Sequence, residues 1–515
     1  MRLFTKTDWL FALAATLIVL LFGSFNLTTG IYPWGDDCAA YISEGIAIAD
    51  GKLAEQAQMN LYYHPTDMPQ EAFDSGSLVY VWGYPLLLSA VYKLVGFGAD
   101  KIIFYKIPLL LSLALTAGAL VLLFRKRLSI HFSFVLAVIF SMSSYLFSAL
   151  NQLYSDLPFV FFCILTMLLM ECICGLEEKG RSVWAIGIVY GISLWFTYET
   201  RLSGSAVCVF ALVEHIILLI PLLKKSVNRK RVILMHLLPY VLFGVLVLVS
   251  ERLWLMPATQ NYSDLSVQID KSALFKYYLQ MIFKYFKIIA GEGNILFILF
   301  LVGMIATGFQ KKNIYLTLLL VGTIIVNSNL PYVQGPRYIY NILPFILLYA
   351  ANGIVLVADL VKKAYKKAEA KSSRDPASKK LALVMPKICK VLIVVAAALV
   401  LVNVCSYGAK NAYNNITHWG QTQKEDAYSS YAIEVYQYIS ENTDSDSVIC
   451  FEKPRMLYLN TGRKSFRYGV NGHELSDADY YLKFKTGFTG ELEVEMPDNE
   501  VVLDNEMFVL YLLNK

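Results

Sequence analysis

Long apolar runs broken by short polar turns recur along most of the chain. Inside hydrocarbon only a helix satisfies its own backbone hydrogen bonds, and crossing takes roughly 17–25 mostly apolar residues. A window of that length finds about eleven such stretches. They lie near residues 8–28, 102–124, 131–149, 155–174, 183–200, 204–222, 233–251, 294–309, 313–330, 338–360 and 389–407. The first is read as a retained span. It is too long for a cleaved leader, and no small-x-small site precedes the acidic stretch that follows. The pattern predicts an α-helical polytopic membrane protein.

Three segments are too polar to be spans: 30–101, 252–293 and the tail after Gly408. In the first, residues 37–50 have helical spacing, with Tyr41, Gly45, Ile48 and Ala49 on one face, and Asp50-Gly51 supplies a stop. In the second, Lys276, Lys284 and Lys287 interleave with Tyr277, Tyr278, Phe283, Tyr285 and Phe286, the pattern of an amphipathic helix lying at a membrane interface. The tail reads as a small α/β unit. Helix-like residues 424–440 lead to a strand over 447–451 and a turn at Asn460-Thr461-Gly462. Alternating runs at 479–485, 492–496 and 507–513 look like further strands. The chain thus divides into a membrane module, 1–407, and a tail domain, 408–515. No internal repeat relates its halves.

Composition supports this picture. Hydrophobic residues make up 57% of the 515 and charged residues only 17%, with a mean hydropathy of +0.50. A soluble chain carries about 25% charged residues, so a soluble enzyme, a disordered scaffold and a disulfide-stapled secreted domain are excluded. Eight cysteines include no C-x-x-C pair; Cys172 and Cys174 are too close together for one, and the cysteines read as small buried hydrophobes. The net charge of +5 is explained by topology. Arg2 to Lys6, Arg125-Lys126-Arg127, residues 179–181 and 224–231, Lys311-Lys312 and residues 362–390 all fall on one side and all are basic. The opposite side receives Asp36, Asp37, Glu44, Asp50, Glu55, Asp67, Glu71 and Asp74. The basic side is therefore cytoplasmic, the N-terminus inside and the tail outside. Nucleic acid is not needed as a partner.

The most informative stretch runs from Tyr32 through Pro33, Trp34, Gly35, Asp36, Asp37 and Cys38 to Tyr41. Asp is a preferred helix N-cap and favours the positive helix end, which would account for the acid pair structurally. Alternatively, a carboxylate at the membrane's outer face serves as a general base that deprotonates an acceptor hydroxyl. Arg201 and Arg337 fall at external span ends, where a lipid phosphate would lie; a guanidinium binds phosphate bidentately and stays charged. Arg201 could instead pair with Glu199 or anchor the interface. Lys284 is a third candidate for the phosphate, against a plain aromatic-belt anchor. Asp156 just outside its span could hold acceptor or metal, or cap the span together with Ser155. His64 and Glu71 lie in a polar loop and are minor candidates for acceptor or metal. Glu214-His215 lies inside the sixth span, with His236 on the next as a structural partner. Asn261-Tyr262-Ser263 and Asn415-Ile416-Thr417 are external sequons.

Several of these stretches together resemble the GT-C superfamily of polytopic glycosyltransferases, which holds the protein O-mannosyltransferases and the aminoarabinose transferase of lipid A. In that group an acidic residue four before a Tyr, then a small-residue helix and a Gly, opens the first external loop; Asp37, Tyr41 and Gly51 match. Trp82-Gly83-Tyr84-Pro85-Leu86-Leu87-Leu88 is similar to its aromatic-Pro-Leu segment, and Tyr154-Ser155-Asp156-Leu157-Pro158 to its turn after the third span. Thr200-Arg201-Leu202-Ser203-Gly204 resembles its Thr-Arg-x-x-Gly turn. Gly335-Pro336-Arg337-Tyr338 with Pro344 resembles its Arg-Tyr segment, and Glu452-Lys453-Pro454-Arg455 and Thr461-Gly462-Arg463 its bacterial tails.

The resemblance implies inverting transfer of a sugar from a polyprenyl-phosphate donor to a glycan, lipid or protein acceptor, at the outer face of a bacterial plasma membrane. Asp37 is placed ahead of Asp36 as the base. Many members have Glu after the first Asp, whereas Cys38 follows Asp37 here, so Asp36 stays the alternative. A divalent cation is an option the sequence does not require. The rival readings are a transporter or flippase, a polymerase or ligase of polyprenyl-linked glycans, and a membrane anchor presenting the tail. A transporter calls for repeats and mid-membrane charges, a polymerase for a large late loop; here the acidic loop comes first.

The topology has a direct check. A cysteine placed near Ser378 should react with an impermeant reagent only after cell lysis, and one near Asn442 should react in intact cells. The reverse pattern would overturn the assignment.

Overall fold

The computed structural model describes residues 4–31, 34–60, 80–177, 183–226, 228–253, 270–291, 293–310, 312–329, 335–371, 376–420, 423–469, 473–485 and 499–513. The chain opens with α1 (Lys6–Ser24). Thr5 caps it by accepting from the Asp8 N–H, while the Asp8 carboxylate accepts from the Thr5 N–H at 2.8 Å. Asp8 also pairs with Arg125 at 2.8 Å, tying the start of α1 to the end of a later helix. The buried stripe of α1 is small (Ala12, Ala15, Val19), whereas Leu10, Leu13, Leu17 and Leu21 are each more than half exposed. On a soluble protein such a stripe would be a docking or aggregation surface. Here it is the lipid-facing side of a multi-pass membrane protein, because small residues face the neighbouring helices and large ones face lipid.

The first polar loop folds as α2 (Asp36–Asp50), α3 (Leu53–Asn60) and α4 (Gly83–Val95). Then come α5 (Ile107–Arg125), α6 (Ile130–Ser141), α7 (Ser144–Ala149), α8 (Asp156–Glu177), α9 (Trp184–Thr200), α10 (Gly204–Lys225) and α11 (Arg229–Leu253). The expected interfacial helix is α12 (Lys271–Ala290), capped by the Asp270 carboxylate on the Ser272 and Ala273 N–H groups. The remaining helices of the bundle are α13 (Asn294–Thr307), α14 (Ile314–Asn327), α15 (Leu343–Lys371) and α16 (Pro376–Thr417).

Seven helices among the described residues are long and apolar enough to cross a membrane, or eight if α12 and α13, bent by 119°, form one span. The other expected crossings are helical but shorter. Residues 131–149 split into α6 and α7 at Met142-Ser143, where Ser143 turns extended with ψ 148°. A helix of 12 residues rises about 18 Å, well short of the roughly 30 Å hydrocarbon core. α9 has 17 residues, and α13 and α14 have 14 each.

The tail holds α17 (Ser430–Asn442), β1 (Val448–Cys450), α18 (Pro454–Thr461), β2 (Lys464–Phe466), β3 (Tyr480–Phe484), β4 (Glu500–Asp504) and β5 (Phe508–Leu512). The sheet order is β2-β1-β3-β5-β4. β1 runs parallel to both β2 and β3, and β5 is antiparallel to β3 and β4. β1, α18 and β2 form the crossover that a parallel pair requires. The run expected at 492–496 lies outside the described residues.

The tail seals onto the first polar loop around Trp34. Its ring meets Tyr436, Phe451, Phe484 and Phe508 at centroid distances of 6.4, 5.9, 5.2 and 5.8 Å. Next to it the Asp426 carboxylate accepts from the Ile31 N–H at 3.0 Å, and the Ala427 N–H donates to the Ile31 carbonyl at 3.1 Å. Buried Lys106 pins the same segment, donating to the Thr28 and Gly30 carbonyls at 2.7 and 2.6 Å.

Close helix approach within the bundle depends on glycine at α13 and α15. A Cβ on Gly303 would meet the Tyr349 carbonyl, and one on Gly353 the Leu299 carbonyl. Gly303→Val should therefore force the two helices apart at a cost of about 1–3 kcal/mol, read as a lowered thermal midpoint in detergent. Gly244→Ala, where a Cβ meets nothing within 4 Å, should leave the midpoint close to wild type.

Candidate active site

The acid pair begins α2. Gly35 is its extended N-cap (φ −109°, ψ 105°), and Asp36 and Asp37 occupy the first turn, where the helix dipole favours negative charge. The two carboxylates then part company. Asp36 Oδ1 accepts from the backbone N–H groups of Arg455 and Met456 at 3.1 and 3.3 Å, so it caps the tail helix α18. Pro454 at the start of α18 has no N–H to offer, which makes the next two the donors that need a partner. Burial pushes the Asp36 carboxyl up from its ordinary value against the pull of Arg455 and Lys453.

Asp37 is the more open of the two, with 42% of its side chain exposed against 24% for Asp36. The Arg455 guanidinium stands 3.9 Å from each carboxylate. The Tyr80 phenol donates to Asp37; burial holds this phenol protonated far above neutral pH. Tyr80 in turn stacks on Tyr41 at 4.0 Å and 20°. One turn along α2, the Tyr41 hydroxyl meets Ser155 Oγ at 3.1 Å, linking the acidic helix to the start of α8.

Beside Ser155, Asp156 is buried and ion-paired with Arg201, which follows α9. Arg201 lies 4.4 Å over the Tyr338 ring and 5.9 Å from Phe159. Arg337 lies over Tyr154 and Tyr338 at 5.0 and 5.5 Å, within electrostatic reach of Asp156, Arg201 and Asp37. Leu153, buried just before Tyr154, has φ +51°, the single positive φ outside glycine among the described residues. Such a backbone costs about 1–3 kcal/mol, and it turns the segment so that Tyr154, Ser155 and Asp156 all face the cluster.

The fold therefore brings Asp36, Asp37, Asp156, Arg201 and Arg337 together from four separate stretches of chain. Arg201 takes Asp156 as its carboxylate partner, and Glu199 accepts from the Ser250 hydroxyl at 2.9 Å instead. Lys284 stands exposed on α12, outside the contacts that join these residues. His64 and Glu71 lie outside the described residues, as does the sequon at Asn261. Sequence reasoning assigned no role to Arg455 or Tyr80. The signal for Arg455 was the Lys453-Pro454-Arg455 start of a helix; Tyr80 carried no local signal, since it stands 43 positions after Asp37 in sequence.

The arrangement has known counterparts in fold. The crystal structure of ArnT from Cupriavidus metallidurans bound to undecaprenyl phosphate matches with TM-score 0.57 and 13% identity, covering 98% of each chain. The oligosaccharyltransferase AglB from Archaeoglobus fulgidus, in complex with an inhibitory peptide and a dolichol-phosphate, matches with TM-score 0.55 and 10% identity, over 92% of this chain and 69% of that one. Both are GT-C proteins, and the fold of this chain is the GT-C fold. No protein-family profile matches the sequence, and no curated protein matches it.

The division of labour between the carboxylates predicts different lesions. Asp36→Leu should lose both backbone bonds to α18, at about 1–3 kcal/mol, and expose the tail to limited proteolysis in detergent. Asp37→Asn should leave tail protection at the wild-type level.

Proposed function

We propose that this protein transfers a sugar from a polyprenyl-phosphate donor to an acceptor hydroxyl at the outer face of the membrane, with inversion and with Asp37 as general base. The observation that carries the proposal is the pairing of an open carboxylate, Asp37, with two arginines, Arg201 and Arg337, held on aromatic rings in the same cluster. Solved GT-C proteins of the same fold hold undecaprenyl phosphate or dolichol-phosphate, which supports a lipid phosphate opposite the base.

In this reading the acceptor oxygen attacks the anomeric carbon as its proton passes to Asp37. The bond from that carbon to the phosphate oxygen breaks, and the electron pair leaves with the polyprenyl phosphate. Arg337 and Arg201 take up the charge that builds on the phosphate oxygens, a role suited to a fixed guanidinium. Tyr80 and Arg455 hold the Asp37 carboxylate in place, and Asp36 keeps α18 and its arginine docked. The division at 407/408, the cytoplasmic N-terminus, the extracytoplasmic tail and the plasma membrane location belong to the same proposal.

Transfer of radiolabelled sugar from purified polyprenyl-phosphate sugars, screened over several sugars in detergent, tests it. Asp37→Asn should lower turnover at least about a hundredfold, and Asp36→Asn should cost less. Arg337→Ala should raise the donor concentration needed for half-maximal rate about ten- to a hundredfold, the loss of one charge-assisted bond, with Arg337→Lys recovering part. Near-normal turnover in Asp37→Asn beside an inactive Asp36→Asn would move the base to Asp36. Full activity in both would overturn the proposal.

A further inference from the structure

Well away from the Asp37 cluster, three spans converge on a second set of chemically active side chains. Cys174 of α8, His215 of α10 and His236 of α11 each offer a donor atom, and these atoms lie within 4.8 Å of one another. All three residues are buried. Cys174 is eighteen positions after Asp156 on one helix, about 27 Å along its axis at 1.5 Å per residue. The set is thus separate from the candidate active site.

We propose that Cys174, His215 and His236 form a binding site for one zinc-class metal ion that staples α8, α10 and α11 together. The donor set is the first reason: thiolate sulfur with two imidazole nitrogens suits a borderline-soft ion such as zinc, whereas calcium and magnesium require oxygen ligands.

The second reason is how the rings are held. His215 Nε2 and His236 Nδ1 lie 2.7 Å apart, and His215 Nδ1 is 2.7 Å from the Tyr240 hydroxyl. Tyr240 also meets the Tyr190 hydroxyl at 3.1 Å. A partner on the far ring nitrogen is what orients a metal-bound histidine and sets its tautomer. The hydrogen bonds leave one nitrogen over: His236 Nε2 is buried with no hydrogen-bond partner. A histidine pair serving only as structural packing would be expected to satisfy that atom.

The third reason is charge. A divalent ion inside a membrane module is tolerable only if its charge is cancelled nearby. A Cys174 thiolate supplies one negative charge. Glu214, buried beside His215 and within electrostatic reach of Cys174, supplies the other.

The full-length protein purified in detergent provides the test. Elemental analysis should find about one zinc per chain, removable by a strong chelator with a fall in thermal midpoint and restored by zinc alone. Cobalt(II) added to the stripped protein should give a thiolate-to-metal charge-transfer band with tetrahedral ligand-field bands. Cys174→Ser should abolish the charge-transfer band, and His236→Ala should abolish stoichiometric zinc. Tyr240→Phe should weaken zinc about ten- to a hundredfold. Should His236→Ala fail to fold, the Cys174→Ser spectrum and Tyr240→Phe affinity carry the test. Wild-type protein that takes up no zinc or cobalt, or variants that bind both as wild type does, would overturn the proposal.

Discussion

The first N–H groups of a helix have no partner within that helix, and at α18 two of them point at the Asp36 carboxylate. One side chain from the first polar loop thereby completes a helix that lies more than 400 residues further along the chain. Once α18 is held there, Arg455 on its first turn has to stand between Asp36 and Asp37. Trp34 fills the tail's aromatic pocket a few residues away, so the loop and the tail fold against each other as one body. The position of the Asp37 carboxylate is set by this joint, through Arg455 on one side and the Tyr80–Tyr41 stack on the other.

The membrane bundle supplies the second half of the cluster under a different constraint. Its helices are apolar nearly all round, so lipid exposure gives little preference for one face over another, and contact is decided by shape. Glycines at the α13–α15 crossing and the small stripe of α1 are examples of that choice. Polar side chains inside the bundle are accordingly concentrated into a few paired groups. Arg127 with Glu171 at 2.6 Å, and the Thr166, Ser193 and Thr197 hydroxyls, are two such groups. Removing Glu171 would leave the buried Arg127 charge without its carboxylate, which is far costlier than never having had the pair. The Asp156–Arg201 pair belongs to the same kind, placed at the end of the bundle where it meets the first polar loop.

Much of the architecture could be read from residue pattern. The helix at 37–50 needed only its periodicity, its acidic first turn and Asp50-Gly51 to end it, and it is α2 with Gly51 at φ +71°. The helices α12 and α17 and the strands β1, β3 and β5 were likewise legible, because each has a period and a stop of its own. The break of 131–149 into α6 and α7 was not, since Ser141-Met142-Ser143 carries no proline or glycine to mark it. α18 was read as a turn from Asn460-Thr461-Gly462; that turn is its C-terminal stop, and the eight residues of the helix are too few to show a period. β2, with three residues, is shorter than any alternation can reveal.

By itself the sequence determined that this chain lives in a membrane, which segments are helical, and which short polar stretches interrupt them. Those properties follow from local physics: the length and apolarity of a run, and the residues that start and stop a helix. Tertiary structure alone decided which of two adjacent carboxylates is occupied and which is open. Asp36 and Asp37 share the same helix end and nearly the same local environment in the chain. What separates them is Arg455, Met456 and Tyr80, which approach from distant parts of the chain and are positioned only when loop, bundle and tail have packed together.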